Sequence, residues 1–297
     1  MKKTIQTLSV IFAVLILFLK GDYVLNKFKY SFNYLDFLIT DSKNRILKNP
    51  QTKKINIDRI IAHAGGEVEG FIYTNSLEAL NSNYSHGMRY FELDLKETSD
   101  GVYVGVHDWG EWKSITEYKG AIPPTHKEFI KTKIHKKFTP LDINKINSWF
   151  NKNKNTFLVT DKVNEPNKFL NSLKISKDRV IMELFTWQAI IQAKNIGINV
   201  MASWEVFFGM SDLEIFNLIK DNEINYLAVP NSLIYTKQDL LKKIMPLAKI
   251  YSWGSYEKIS NNFGNKTESF VLCNEYNYIY GVYMDICLNS NKIICYE

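Results

Sequence analysis

The chain has 297 residues, a net charge of +6, and 45% hydrophobic against 23% charged residues. That length is enough for one large domain with a substantial core, and the composition excludes a disordered or fibrous chain. Three cysteines, Cys273, Cys287 and Cys295, exclude a disulfide framework and lack metal-ligand spacing. They read as small buried hydrophobes, with one bridge open to them if the domain lies outside the cytoplasm.

The aromatic excess, 17 Tyr and 18 Phe, reads first as core. The positive balance suits an anionic ligand or an anionic membrane surface. Its lysines are scattered, as in Lys127, Lys131, Lys133, Lys136 and Lys137, which is the pattern of a solvated basic face. No nucleic-acid motif is present.

In chain order, Met1-Lys2-Lys3 precedes an uncharged apolar run from Thr4 to Leu19, closed by Lys20. The run is short for a full span unless the flanking lysines snorkel, and it also fits a signal-peptide core. No Ala-x-Ala cleavage site and no lipobox cysteine follow it. The expectation is an uncleaved signal anchor over 1–20, with the remainder of the chain on the extracytoplasmic side of the cell membrane. Residues 21–56 carry many aromatics and read as a linker or amphipathic preface to a domain over 57–297.

From Ile57 onward, short apolar runs alternate with amphipathic stretches. Strands are expected at Arg59–His63, Tyr90–Asp94, Thr156–Asp161, Arg179–Glu183, Asn199–Ser203, Tyr226–Pro230, Lys249–Trp253 and Gly281–Asp285. Helical patterns lie between most of them, at Ser76–Tyr84, Trp187–Asn195, Asp212–Asp221 and Lys237–Met245. Alternation of this kind implies parallel strands, and eight such units imply an α/β (β/α)8 TIM barrel. The Val102–His107 run follows a Ser-Asp-Gly turn and reads as a hairpin partner of the Tyr90 strand rather than a ninth stave.

Three short strings sit where strands give way to loops: His63-Ala64-Gly65-Gly66, Glu92-Leu93-Asp94 and His107-Asp108. Two histidines and a Glu-x-Asp pair are the parts of metal-assisted acid/base chemistry. Glu92 and Asp94 point the same way on a strand. Two like charges in a barrel mouth are unfavourable unless a cation joins them, and oxygen ligands suit Mg²⁺ or Ca²⁺. Gly65 reads as backbone room beside a substrate. His86, His126 and His135 read as surface residues, and Glu67 and Glu69 as solvent-facing.

In order and spacing, these strings resemble the glycerophosphodiester phosphodiesterase family, which is related to phosphatidylinositol-specific phospholipases C. His63-Ala64-Gly65-Gly66 stands for its His-Arg-Gly-Gly, and Thr74-Asn75-Ser76-Leu77-Glu78-Ala79-Leu80 for its Glu-Asn-Thr element. Glu92, Asp94, Thr98 to Gly101, His107 and Asp108 match directly. Ser252-Trp253 and Tyr283-Met284-Asp285 look like its late strings.

The resemblance implies a TIM barrel and catalysis by His63 and His107. It implies a divalent cation on Glu92, Asp94 and Asp161, and substrate contacts from Lys162 and Trp253. It also implies hydrolysis of a small-molecule or lipid-headgroup phosphodiester. Ala64 departs from the family arginine, and Thr160-Asp161-Lys162 from its Glu-x-Lys spacing. A phospholipase-C-like activity, or a degenerate binding barrel, are the rival readings.

Overall fold

The computed structural model describes residues 51–53, 57–234, 236–254, 278–285 and 293–295. Its strands are β1 Gln51–Lys53, β2 Ile60–Ala62, β3 Tyr90–Glu97, β4 Tyr103–Gly105, β5 Phe157–Asp161, β6 Val180–Leu184, β7 Asn199–Ser203, β8 Tyr226–Pro230, β9 Lys249–Trp253, β10 Gly281–Met284 and β11 Ile293–Cys295. Around them lie α1 Leu77–Ser85, α2 Trp109–Thr116, α3 His126–Lys131, α4 Ile143–Lys152, α5 Pro166–Leu170, α6 Trp187–Asn195, α7 Asp212–Asp221, α8 Asn231–Ile234 and α9 Gln238–Ile244.

Eight strands pair in parallel in the order β2-β10-β9-β8-β7-β6-β5-β3, and β3 returns to β2 to close the barrel. Each begins at, or one residue after, its expected first residue. β3 runs past Asp94 to Glu97 because β4 folds back on it antiparallel, pairing Leu95 with Gly105 and Glu97 with Tyr103. The turn between them is tied by Thr98, whose hydroxyl donates to Asp100 and accepts from Val102 N. β1 and β11 form a separate antiparallel pair.

Period-2 alternation sorts each strand. Ile61, Val159, Ile181, Met201, Ala228, Tyr251 and Tyr283 form one cluster inside the barrel. Their neighbours Ile60, Phe91, Leu158, Met182, Ala202, Leu227 and Ile250 point outward into the larger core shared with the helices. Gly281 is obligatory there, because a Cβ would collide with the Arg59 carbonyl oxygen and the Tyr251 ring.

Among the described residues no helix is long and apolar enough to cross a membrane. The expected anchor over 1–20, and all of the preface over 21–56 except Gln51–Lys53, lie outside the described residues, as do Cys273 and Cys287.

His126 departs from its expected surface role. Its Nε2 lies 2.8 Å from Asp142 Oδ2, and its backbone N–H donates to Asp100 at 2.8 Å. Asp142 also caps α4 by accepting from Lys145 N at 2.8 Å. Burial opposes the Asp142 charge, but the Lys145 N–H and His126 outweigh it and hold the carboxyl below its usual value.

Asp142→Ala should therefore destabilise the fold by about 1–2 kcal/mol, the usual effect of a lost cap. A lowered native pKa means that this stability is present above the unfolded value and fades as pH falls through the native one. The difference in urea midpoint between the two proteins should hold at neutral pH and close only in strongly acid solution. Equal midpoints at neutral pH would remove Asp142 from this role.

Candidate active site

Active sites of β/α barrels collect at the C-terminal ends of the strands. Here that rim gathers Glu92 and Asp94 from β3, Asp161 from the end of β5 and Glu183 from β6. His63 follows β2, and Asp285 follows β10. All six alternate into the barrel mouth on the same register as the interior cluster, one or two steps further along each strand.

Glu92 and Asp94 are fully buried. Each has one oxygen held by a neutral donor. Ala64 N donates to Glu92 Oε2 at 2.7 Å, and Asn75 Nδ2 donates to Asp94 Oδ2 at 2.9 Å while Asn75 Oδ1 accepts from Asp94 N at 3.0 Å. Among the described residues the other oxygens, Glu92 Oε1 and Asp94 Oδ1, are buried without a hydrogen-bond partner. Burial, and then the neighbouring carboxylates, push both pKa values up. Oxygen atoms of Glu92, Asp94 and Asp161 all lie within 4.8 Å of one another. Glu92 and Asp94 bring buried, unpartnered oxygens to this cluster, while both oxygens of the half-buried Asp161 are engaged by Lys162, one by its backbone N–H at 2.6 Å and one by its ammonium. Three carboxylates at that spacing could hold a hard cation.

His63 Nδ1 sits 2.8 Å from Asp285 Oδ1. A carboxylate only accepts, so Nδ1 carries the proton and Nε2 turns to the site, 3.9 Å from Glu92 Oε2. Burial lowers the imidazole pKa, but Asp285, Asp94 and Asp161 outweigh it and raise it overall. His107 follows β4, with Nδ1 3.1 Å from Glu111 Oε2, which frees its Nε2 in the same way. Asp108, next to it, is a helix cap: its side chain accepts from Gly110 N and Glu111 N of α2.

Lys162 reaches the site by leaving strand geometry. Its φ of +67° turns the chain back, so that Nζ lies 2.7 Å from Asp161 Oδ2 and 4.0 Å from Asp94 Oδ1. Burial opposes its charge, yet Asp161, Asp94 and Glu92 raise the ammonium to about 12. Trp253 ends β9 half-buried, with Nε1 buried and unpartnered among the described residues.

Gly65 differs from its expected part. Its missing side chain faces Ala79 and Leu80 of α1, as that of Gly66 faces Asn83. The pair lets this turn approach α1. Ala64 is itself fully buried at φ +48°.

Asp285, Glu183, Asn75 and Tyr73 were missed as site residues. Asp285 and Glu183 each close an expected strand on an acid, as Asp94 and Asp161 do, and that shared position was the available signal. Glu183 Oε2 accepts from the Tyr283 hydroxyl at 2.7 Å, and burial followed by Asp161 raises the Glu183 pKa to about 8. Asn75 and Tyr73 take positive φ values in the loop before α1, which no residue pattern announces.

No family model matches the sequence, and no curated protein matches it. Solved structures do match. A glycerophosphodiester phosphodiesterase from Parabacteroides distasonis aligns with TM-score 0.57 at 16% identity, over 77% of this chain and 93% of its own. One from Thermotoga maritima aligns with TM-score 0.54 at 19% identity, over 76% and 94%. An Oleispira antarctica phosphodiesterase, solved with its product sn-glycerol-3-phosphate, aligns with TM-score 0.51 at 16% identity, over 67% and 85%. The chain has the fold of these glycerophosphodiester phosphodiesterases, at 16–19% sequence identity.

Proposed function

We propose that the chain is a cation-dependent phosphodiesterase that cleaves a glycerophosphodiester into glycerol 3-phosphate and an alcohol. The observation that carries this reading is the coincidence, on one barrel rim, of two carboxylate-oriented histidines with two buried carboxylates that each keep one oxygen without a hydrogen-bond partner among the described residues. The product held by the Oleispira antarctica protein supports glycerol 3-phosphate as the product here.

Glu92, Asp94 and Asp161 would hold Mg²⁺ or Ca²⁺, which supplies positive charge to the nonbridging phosphate oxygens when bound. His63 is held by Asp285, so its free Nε2 accepts the proton of an attacking hydroxyl on the substrate. His107, oriented by Glu111, donates a proton to the departing alcohol oxygen. The resulting cyclic phosphate is opened by water with the two roles exchanged, which restores both histidines to their starting protonation. Lys162 adds fixed positive charge at the mouth. The apolar run from Thr4 to Leu19 anchors the protein in the cell membrane, with the barrel on the extracytoplasmic side.

His63→Ala and His107→Ala should each reduce turnover of a glycerophosphodiester at least about 10²-fold, the usual scale for a general acid or base. Steady-state assays that leave either variant near wild-type turnover would dismiss that histidine.

The cation site has a readout independent of activity. Millimolar Ca²⁺ or Mg²⁺ should raise the thermal midpoint of the wild type and leave that of Asp94→Asn unmoved. Without cation, Glu92→Gln should be at least as stable as the wild type, since it removes one of two buried like charges. A cation-induced shift that survives in Asp94→Asn places the cation elsewhere.

The full-length protein should remain in membranes after an alkaline wash. Recovery of a mature form that begins after about residue 20 would instead show a cleaved signal peptide.

A further inference from the structure

Any phosphodiester entering this rim meets five carboxyl groups, Glu92, Asp94, Asp161, Glu183 and Asp285, and one lysine already paired with Asp161 at 2.7 Å. Position 64 offers only its backbone N–H, which Glu92 takes. The Tyr283 hydroxyl is given to Glu183. The proposed chemistry thus leaves the anionic oxygens short of donors on the side of the two histidines.

Tyr73 occupies that side. Its ring centroid lies 4.7 Å from that of His63 and 5.2 Å from that of His107, edge-on to both. It is the aromatic residue that bridges the two imidazoles, and it also lines the cleft formed with Thr74, Gly105, Val106, His107 and Glu111. Its backbone is strained, with φ +57° in a non-glycine residue. Such a conformation persists only where its surroundings impose it. Here they do: Asn75, two residues on and itself at φ +46°, donates its N–H to Ala64 O at 3.1 Å and clamps Asp94. One short loop therefore carries both the Asn75 that holds Asp94 and Tyr73. Burial and the charges of Asp285, Asp94, Glu92 and Glu111 hold the phenol far above its usual range. It stays protonated throughout the working pH range and remains a donor.

We infer that Tyr73 is a substrate-binding residue, whose hydroxyl donates a hydrogen bond to a nonbridging oxygen of the phosphodiester between His63 and His107. A phenol suits this place because it supplies a donor without adding a cation that would pair with the surrounding acids. The same contact is made in the ground state and the transition state, so its loss is felt in KM and product affinity rather than in kcat. The inference rests on the phosphodiesterase reading.

The test uses the full-length protein in detergent with Ca²⁺, comparing wild type with Tyr73→Phe. The variant keeps the ring and its edge contacts and removes only the donor. Calorimetric titration with glycerol 3-phosphate and with inorganic phosphate should show both bound about 10- to 150-fold more weakly by Tyr73→Phe, the range for losing a hydrogen bond to a charged group. KM for a glycerophosphodiester should rise by a similar factor with kcat little changed, and the thermal midpoint should stay at the wild-type value. Wild-type affinity in Tyr73→Phe for both ligands, or a loss confined to kcat, overturns the inference while leaving the phosphodiesterase reading in place. Weakening of glycerol 3-phosphate alone moves the hydroxyl to the glycerol moiety and overturns the phosphate contact. A wild type that neither binds glycerol 3-phosphate nor turns over any phosphodiester overturns both readings.

Discussion

Two carboxylates two residues apart on one strand, both fully buried, repel each other in a place where water cannot screen them. The rest of the rim is arranged around that fact. The turn after β2 presents the Ala64 N–H to Glu92, and the loop before α1 bends through left-handed positions to bring Asn75 against Asp94. The packing that allows this is local: Gly65 and Gly66 lie so close to α1 that a side chain on either would meet Ala79 or Asn83. Neutral donors stabilise one oxygen of each acid and leave the other buried without a hydrogen-bond partner among the described residues. Lys162 approaches the second oxygen of Asp94 only to 4.0 Å, so the two free oxygens together could receive a cation.

The barrel makes the arrangement possible at little local expense. Its interior is apolar and aromatic through the middle, where Ile61, Val159, Ile181 and Met201 pack with Tyr251 and Tyr283. The same alternation carried one step further brings acids to the rim. Tyr283 joins the two zones, since its ring packs inside the barrel and its hydroxyl reaches Glu183. The chain carries a net charge of +6, yet its mouth is lined with carboxyl groups.

The fold was legible because strand and helix signals here are strong and local. All eight staves, and the antiparallel return after Thr98 to Gly101, follow from short β-branched or aromatic runs and one turn. Glu92, Asp94, Asp161 and the two histidines were legible as types at strand ends. Lys162 was ambiguous, because strand periodicity turns it away from Asp161, and only its φ of +67° brings it back. Asp285 lies 222 residues from His63, a separation at which only barrel closure makes a contact. His126 was misread because its partner Asp142 sits beyond a loop, and nothing near it in sequence reports that pairing. Tyr73 and Asn75 owe their positions to backbone strain, which composition and periodicity do not encode.

The mouth combines groups whose charges depend on one another. Burial lowers the His63 pKa, but Asp285, then Asp94 and Asp161, raise it overall; burial, then Asp285, Asp94 and Glu92, push that of Tyr73 upward. Positive charge placed among those carboxylates acts in the opposite direction on both. His63 would then shift toward the neutral form that can accept a proton, while the phenol, starting far above its usual range, would still be protonated at neutral pH. A lysine in the place of Tyr73 would pair with the carboxylates before any cation arrived and weaken the site it was meant to complete. A neutral phenol beside the two imidazoles adds no charge that would pair with the acids.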